Sequence, residues 1–242
     1  CLGFLSPSNP QPTRVWLARM LGLFGGEESV SALAGLLADS DAELRDAARR
    51  ALQANPSPKA ADALRSALAA AKDPVAVRGL MDGLAYRRDA GAVDSIAKKV
   101  GAADTAVASA AVLALGKIGD AKAVAALVAA KGRAPEALKR QIDAAILDAP
   151  AGDAKVLGPM TDAGDPGLRI GALARLLRAD PAAGKTKVTA AIRDKDADVA
   201  AAALRLAIDA GDAARQKSAI DASPALAPGL QAMAATIDQF IA

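Results

Sequence analysis

The chain has 242 residues, of which 52% are hydrophobic but only 2% aromatic, and its 30 basic and 27 acidic side chains leave a net charge of +3. So balanced a surface gives no electrostatic ground for a nucleic-acid partner, and no run of about 18 apolar residues offers a membrane span. The absence of histidine removes Ser-His-Asp triads, Cys-His pairs and most zinc or iron sites, so no catalytic residue, metal or cofactor is expected.

The chain begins with Cys1, and its only cysteine cannot form an internal disulfide. Two readings of this start compete. Cys1 is the lipid-bearing residue of a processed lipoprotein, or Leu2-Gly3-Phe4-Leu5 followed by Ser6-Pro7-Ser8-Asn9 is the end of an amphipathic helix and its exit turn. The second is preferred, because Leu33 to Ser40 repeats the same pattern. Residues 1–12 are therefore read as the remnant of a preceding helix or as a tether.

From residue 13 the chain repeats. About a quarter of it is alanine, a strong helix former that needs little space, which favours closely packed helices. Aligned on the apolar residue that opens the first helix of each unit, the units start at Val15, Leu44, Val77, Val107, Leu138, Leu168 and Val199. The gaps are 29, 33, 30, 31, 30 and 31 residues, the signature of a stacked array. Within units, apolar residues recur at three- and four-residue spacing, as in Leu44, Ala47, Ala48, Ala51 and Leu52, the buried stripe of a helix.

Each unit breaks once in the middle, at Gly25-Gly26, Asn55 to Pro58, Arg87 to Asp89, Gly119-Asp120, Pro150 to Asp153, Asp180-Pro181 and Gly211-Asp212. Glycine suits a helix end and aspartate a helix start, where a carboxylate accepts free backbone N–H groups. Asp41, Asp73, Asp104, Asp165 and Asp196 do the same between units. Residues 13–222 thus predict seven helical hairpins with a period near 31. Residues 223–242, with Met233, Ile237, Phe240 and Ile241, leave the period and predict a C-terminal capping helix.

The segment Ser109 to Leu127, SAAVLALGKIGDAKAVAAL, resembles the short HEAT-like repeat of the phycobilisome-lyase type. Asp73-Pro74-Val75-Ala76-Val77-Arg78 and Asp165-Pro166-Gly167-Leu168-Arg169 are similar to the Asp-Pro-x-Val-Arg opening of that repeat, while Ala108 and Ala200 replace its arginine and the fifth unit has Lys139. The resemblance implies an all-α fold, a right-handed α-solenoid of about seven hairpins forming a single array over 1–242, whose second helices line a concave binding face.

Two motifs point elsewhere. Ala179 to Thr186, ADPAAGKT, fits a permissive phosphate loop, but Leu173 to Arg178 before it reads as helix where such a loop needs a strand. Asp194-Lys195-Asp196-Ala197-Asp198 is like a calcium loop, but Val199 and Arg205 stand where glycine and glutamate belong. Both are read as turns, and Trp16 as packing within the first helix.

On the second helices, Val30, Ala61, Val93, Val124, Val156 and Val188 are taken as the buried row, with Asp62, Ser66, Asp94, Lys98, Lys122, Thr161, Thr189 and Arg193 exposed beside it. Lysines concentrate there. The expected function is a non-catalytic scaffold binding a protein, by its charge an acidic one, on the concave face, with Lys98, Lys122, Lys187 and Arg193 as contact residues and no nucleic acid. The alternative is an accessory module of a larger secreted or membrane-anchored bacterial enzyme or lipoprotein. Bilin lyase or chromophore-chaperone activity ranks last, for lack of aromatic side chains to stack on a tetrapyrrole. The bacterial periplasm or cell envelope is preferred over the cytoplasm.

Overall fold

A computed structural model describes residues 2–150 and 152–210. Among the described residues all regular structure is helical. The chain forms two compact units, divided between residues 151 and 152.

The first unit contains α1 (Gln11–Phe24), α2 (Val30–Leu36), α3 (Ala42–Ala54), α4 (Pro58–Ala70), α5 (Pro74–Tyr86), α6 (Val93–Ala97), α7 (Thr105–Ile118), α8 (Ala121–Lys131) and α9 (Glu136–Asp148). Short 3-10 turns precede α2 and α6 and extend α6 through Lys98–Gly101. The first helices of successive hairpins pack in a row, α1 on α3 on α5 on α7 on α9, and the second helices form another layer through α2 on α4 and α6 on α8. The second unit holds α10 (Ala154–Met160), α11 (Pro166–Ala179), α12 (Pro181–Ala191) and α13 (Ala197–Asp209), with α11 packed on α10, α12 and α13. This is an α-solenoid of stacked hairpins. The second helix of the seventh hairpin and the closing helix expected over 223–242 lie outside the described residues.

The acids at the turns explain why the helices start where they do. Asp41, Asp73, Asp104, Asp165 and Asp196 each accept a backbone N–H from the first turn of a first helix. Asp120, Asp153 and Asp180 do so for second helices, and Ser57 for α4. Such a cap stabilises by about 1 kcal/mol.

The structure corrects the register of the first repeat. Its helix begins after Pro10, so the residues preceding the seven first helices are Pro10, Asp41, Asp73, Asp104, Pro135, Asp165 and Asp196, at separations of 31, 32, 31, 31, 30 and 31. Aligning on Val15 hid this, because Pro10 offers no capping side chain to mark the start. Residues 2–5 form a 3-10 turn that packs on α1.

Buried leucines and isoleucines hold the layers together: Leu44, Leu52, Leu64, Leu84, Leu115, Leu127 and Ile142 are fully enclosed, each contributing about 1.5–3 kcal/mol. Small residues set how closely the first helices approach. A Cβ on Gly22 would lie 3.0 Å from the Ala51 backbone, and one on Gly116 would lie 2.9 Å from the Ala145 side chain. In the second unit Leu173, Val188, Ile192, Val199, Ala203 and Leu204 form the core. Two positions differ from expectation. Val156 is only half-buried while Leu157 is enclosed, since the longer turn of the fifth repeat shifts α10 by one residue; Leu168 is likewise half-buried.

Candidate functional site

Charged side chains first serve to tie each hairpin to the turn that follows it and to join neighbouring repeats. Arg14 pairs with Asp39 at 2.6 Å and Arg169 with Asp194 at 3.1 Å, in both cases reaching 25 residues ahead to the next inter-repeat turn. On the first helices Arg19 pairs with Glu43 and Lys117 with Asp82; around the second helices Lys59 pairs with Glu27 and Arg65 with Asp89. Arg45 and Arg169 also donate to the last carbonyls of the turn before their own helix: Arg45 to Asp39 at 2.7 Å and Ser40 at 2.8 Å, Arg169 to Ala163 at 2.8 Å and Gly164 at 3.1 Å. In these two repeats that is what the opening arginine does.

These contacts hold several carboxyls below their ordinary range. Lys59, then Ser57, hydrogen-bonds Glu27. The Asp41 backbone N–H, then Arg14, holds Asp39 down. At Asp46 burial pushes upward, but hydrogen bonds from Arg49 and Arg50 outweigh it. A depressed carboxyl contributes stability that is fully present above its unfolded value, near 4, and is lost as pH falls through the folded one. With no histidine to titrate, the unfolding free energy should be flat from about pH 5 to 8 and fall below about pH 4. Denaturant melts across pH check this, and a step near pH 6.5 would contradict it.

The expected contact residues fall in different settings. Lys98 is exposed at the end of the α6 segment. Lys122, in the first turn of α8, is paired with Asp94 at 2.7 Å, and Lys187, half-buried on α12, with Asp162 at 2.6 Å. Arg193 is exposed just past α12. Lys98 and Lys122 belong to the first unit and Lys187 and Arg193 to the second. Thr161, expected to be exposed, is buried, its hydroxyl donating to the Gly158 carbonyl at 2.7 Å. Trp16, expected to pack, is 60% exposed on α1. Cys1 lies outside the described residues.

The two decoy motifs resolve as turns. Asp180 caps α12 through the Ala182 and Ala183 N–H groups, and helix α11 precedes it. Gly184 is buried inside α12, where a Cβ would meet the Leu177 backbone. The glycine therefore permits close approach of two helices. Asp194 accepts from Arg169 and from the Asp196 N–H, and Asp196 caps α13. Among the described residues no cluster of three metal-ligating side chains occurs.

Two open grooves lie in the first unit. One, about 870 Å³, follows α5, α7 and α9 and carries both signs of charge, with Arg88, Lys117 and Asp148 around Tyr86 and Leu113. The other, about 830 Å³, lies between the fourth and fifth repeats at the inter-repeat turns. Its charged lining is Lys98 and Arg133 alone, joined by Thr105, Ser109 and Gln141 over an alanine-rich floor. Sequence reasoning did not single out Arg133, Thr105, Ser109 or Gln141; the signal for the groove is the replacement of the repeat arginine by Ala108.

Residues 4–81 match the family model of HEAT repeats, and residues 107–132 match that of the PBS lyase HEAT-like repeat. No curated protein matches the chain. Two solved engineered proteins of the Northeast Structural Genomics Consortium are similar to it. One is 20% identical, with 93% of this chain and 71% of that one covered and a TM-score of 0.45; the other is 21% identical, with 85% and 92% covered and a TM-score of 0.35. The first match spans repeats one and two and part of the opening helix of the third, and the second spans most of α7 and α8 of the fourth, so the hairpins in those two segments are similar to HEAT and HEAT-like repeats.

Proposed function

We propose that the chain is a non-catalytic scaffold that binds an acidic protein partner, either by itself or as the accessory module of a larger bacterial protein. The supporting observation is how its acids are spent. Asp41, Asp73, Asp104, Asp120, Asp153, Asp165, Asp180 and Asp196 cap helices, Asp39 and Asp194 pair with an arginine of the hairpin they follow, and Glu43, Asp82, Asp94 and Asp162 pair with cations of a neighbouring repeat. Carboxylates held this way are unsuited to acid–base work, while Lys98 and Arg193 are exposed and, among the described residues, outside any such pair. Stacked repeats of this kind present extended surfaces for a partner.

Selection from a displayed random peptide library tests the reading. Ligands enriched in Asp and Glu are expected, with affinity falling steeply as salt is raised. Lys98→Glu and Arg193→Glu should weaken binding with little change in melting temperature. Lys122→Glu and Lys187→Glu should instead lower the melting temperature, because each sets a carboxylate against Asp94 or Asp162. Enrichment without acidic bias would overturn the proposal.

A further inference from the structure

The groove between repeats four and five has a counterpart one repeat pair earlier, and comparing them shows why it is open. Counted from the capping aspartates Asp41 and Asp104, Arg45 corresponds to Ala108, Asp46 to Ser109 and Arg49 to Val112. Between repeats two and three, Arg45 lies across the preceding turn carbonyls and Arg49 binds Asp46 and Gln53. About 120 Å³ remains there. Between repeats four and five Ala108 and Val112 carry no such groups, and about 830 Å³ stays open. The loss of the repeat arginine thus exchanges an internal tie for a groove within the usual size range of ligand sites, ~300–1,000 Å³.

The lining selects the ligand by charge. Among its fifteen lining residues are two cations and no carboxylate, whereas its filled counterpart includes Asp46 and Asp73. Among the described residues neither Lys98 nor Arg133 enters an ion pair. The nearby acids are engaged: Asp104 accepts from the Ala106 and Val107 N–H groups, and Glu136 pairs with Lys139. Lys98 comes from the third repeat and Arg133 from the fourth. Packed helices of successive repeats lie roughly 8–10 Å apart, the span of about three residues of extended chain.

We infer that this groove, opened by Ala108, binds an extended acidic segment of a protein partner, two carboxylates about three residues apart meeting Lys98 and Arg133. Thr105, Ser109 and Gln141 hydrogen-bond its backbone, and one small apolar side chain between the acids rests on the alanine floor. The inference rests on the acidic-partner reading above and names one site for it.

The test uses the full chain and fluorescein-labelled peptides carrying Asp-Ala-Val-Asp, its Lys-Ala-Val-Lys counterpart, and a single-stranded oligonucleotide, followed by anisotropy. The acidic peptide alone should bind. Ala108→Arg, which restores the residue type found at Arg45 and Arg169, should weaken it at least tenfold. The surface reversals Lys98→Glu and Arg133→Glu should each do the same, so the result does not depend on one variant folding. Circular dichroism confirms that the variants are folded. Equal binding by wild type and by all three folded variants overturns the site while leaving the acidic-partner reading intact; binding of the oligonucleotide alone, or of no probe, overturns the inference outright. Acidic ligands from the displayed library that are indifferent to Ala108→Arg would place the partner elsewhere on the array.

Discussion

Gly184→Ala should destabilise the second unit by about 1–3 kcal/mol, the usual cost of forcing extra volume into a packed contact. The sign makes the result informative. In an unconstrained helix alanine is about 1 kcal/mol better than glycine, so a helix that merely tolerated this glycine would gain. Here the new Cβ would lie 2.7 Å from the Leu177 nitrogen and 3.1 Å from the Leu176 carbonyl carbon, atoms of the α11 backbone that cannot swing aside. Helix α12 must then move away from α11, loosening Val188 and Ile192 against Leu173. Guanidinium unfolding combined with amide exchange over α11 and α12 reads the loss, and an unchanged or raised midpoint would sink the packing argument. Lys185→Ala is the control: the side chain is exposed, and a change within about 0.5 kcal/mol is expected.

Asn55→Ala should cost on the order of 3 kcal/mol, because it removes the centre of a buried network joining three repeats. Asn55 is 1% exposed. Its amide nitrogen donates to the Gly25 carbonyl at 3.2 Å, the Gly26 carbonyl at 2.9 Å and the Ser29 hydroxyl at 3.3 Å, and its oxygen accepts from the Ser57 N–H. From the third repeat, Arg87 donates to the carbonyls of Leu52 at 3.0 Å, Gln53 at 3.2 Å, Asn55, and Ser57 at 3.0 Å. Alanine leaves the Gly25 carbonyl without its donor, and the Gly26 carbonyl with only the hydroxyl and N–H of Ser29. Asn55→Asp should cost more, since a carboxylate would face those same oxygens. For a chain of this size 3 kcal/mol corresponds to roughly 6–12 °C in melting temperature. Thermal melts giving less than about 2 °C for both variants would show that the network contributes nothing.

The repeats, their caps and the helical class were legible because they rest on local chemistry. An aspartate at a turn meets the N–H groups two and three residues ahead, and that relation is written in adjacent letters. What escaped depends on residues a repeat away. Nothing local marks Arg14 and Arg169 as buried, yet both are, because Asp39 and Asp194 reach them from the following turn. Trp16 read as packing because it lies in the first helix, but its side chain is 60% exposed. The pairing of Lys122 and Lys187 was equally hidden, since their carboxylates lie 28 and 25 residues earlier in the chain. The candidate groove was visible only as a missing letter at Ala108, and its meaning needed the filled example at Arg45.

The hydrogen bonds between repeats join residues 24 to 35 positions apart. Each such bond closes a short loop, whose entropic cost is small and nearly the same everywhere along the stack. Folding should therefore need no distant ends to meet: a central hairpin can nucleate and its neighbours add in either direction, on the fast timescale of low-contact-order proteins. Stretched from its termini, such a stack should give way one hairpin at a time, releasing about 31 residues per step, and the ties at Asn55 and Arg87 should make the first three repeats of the first unit the last of that unit to yield.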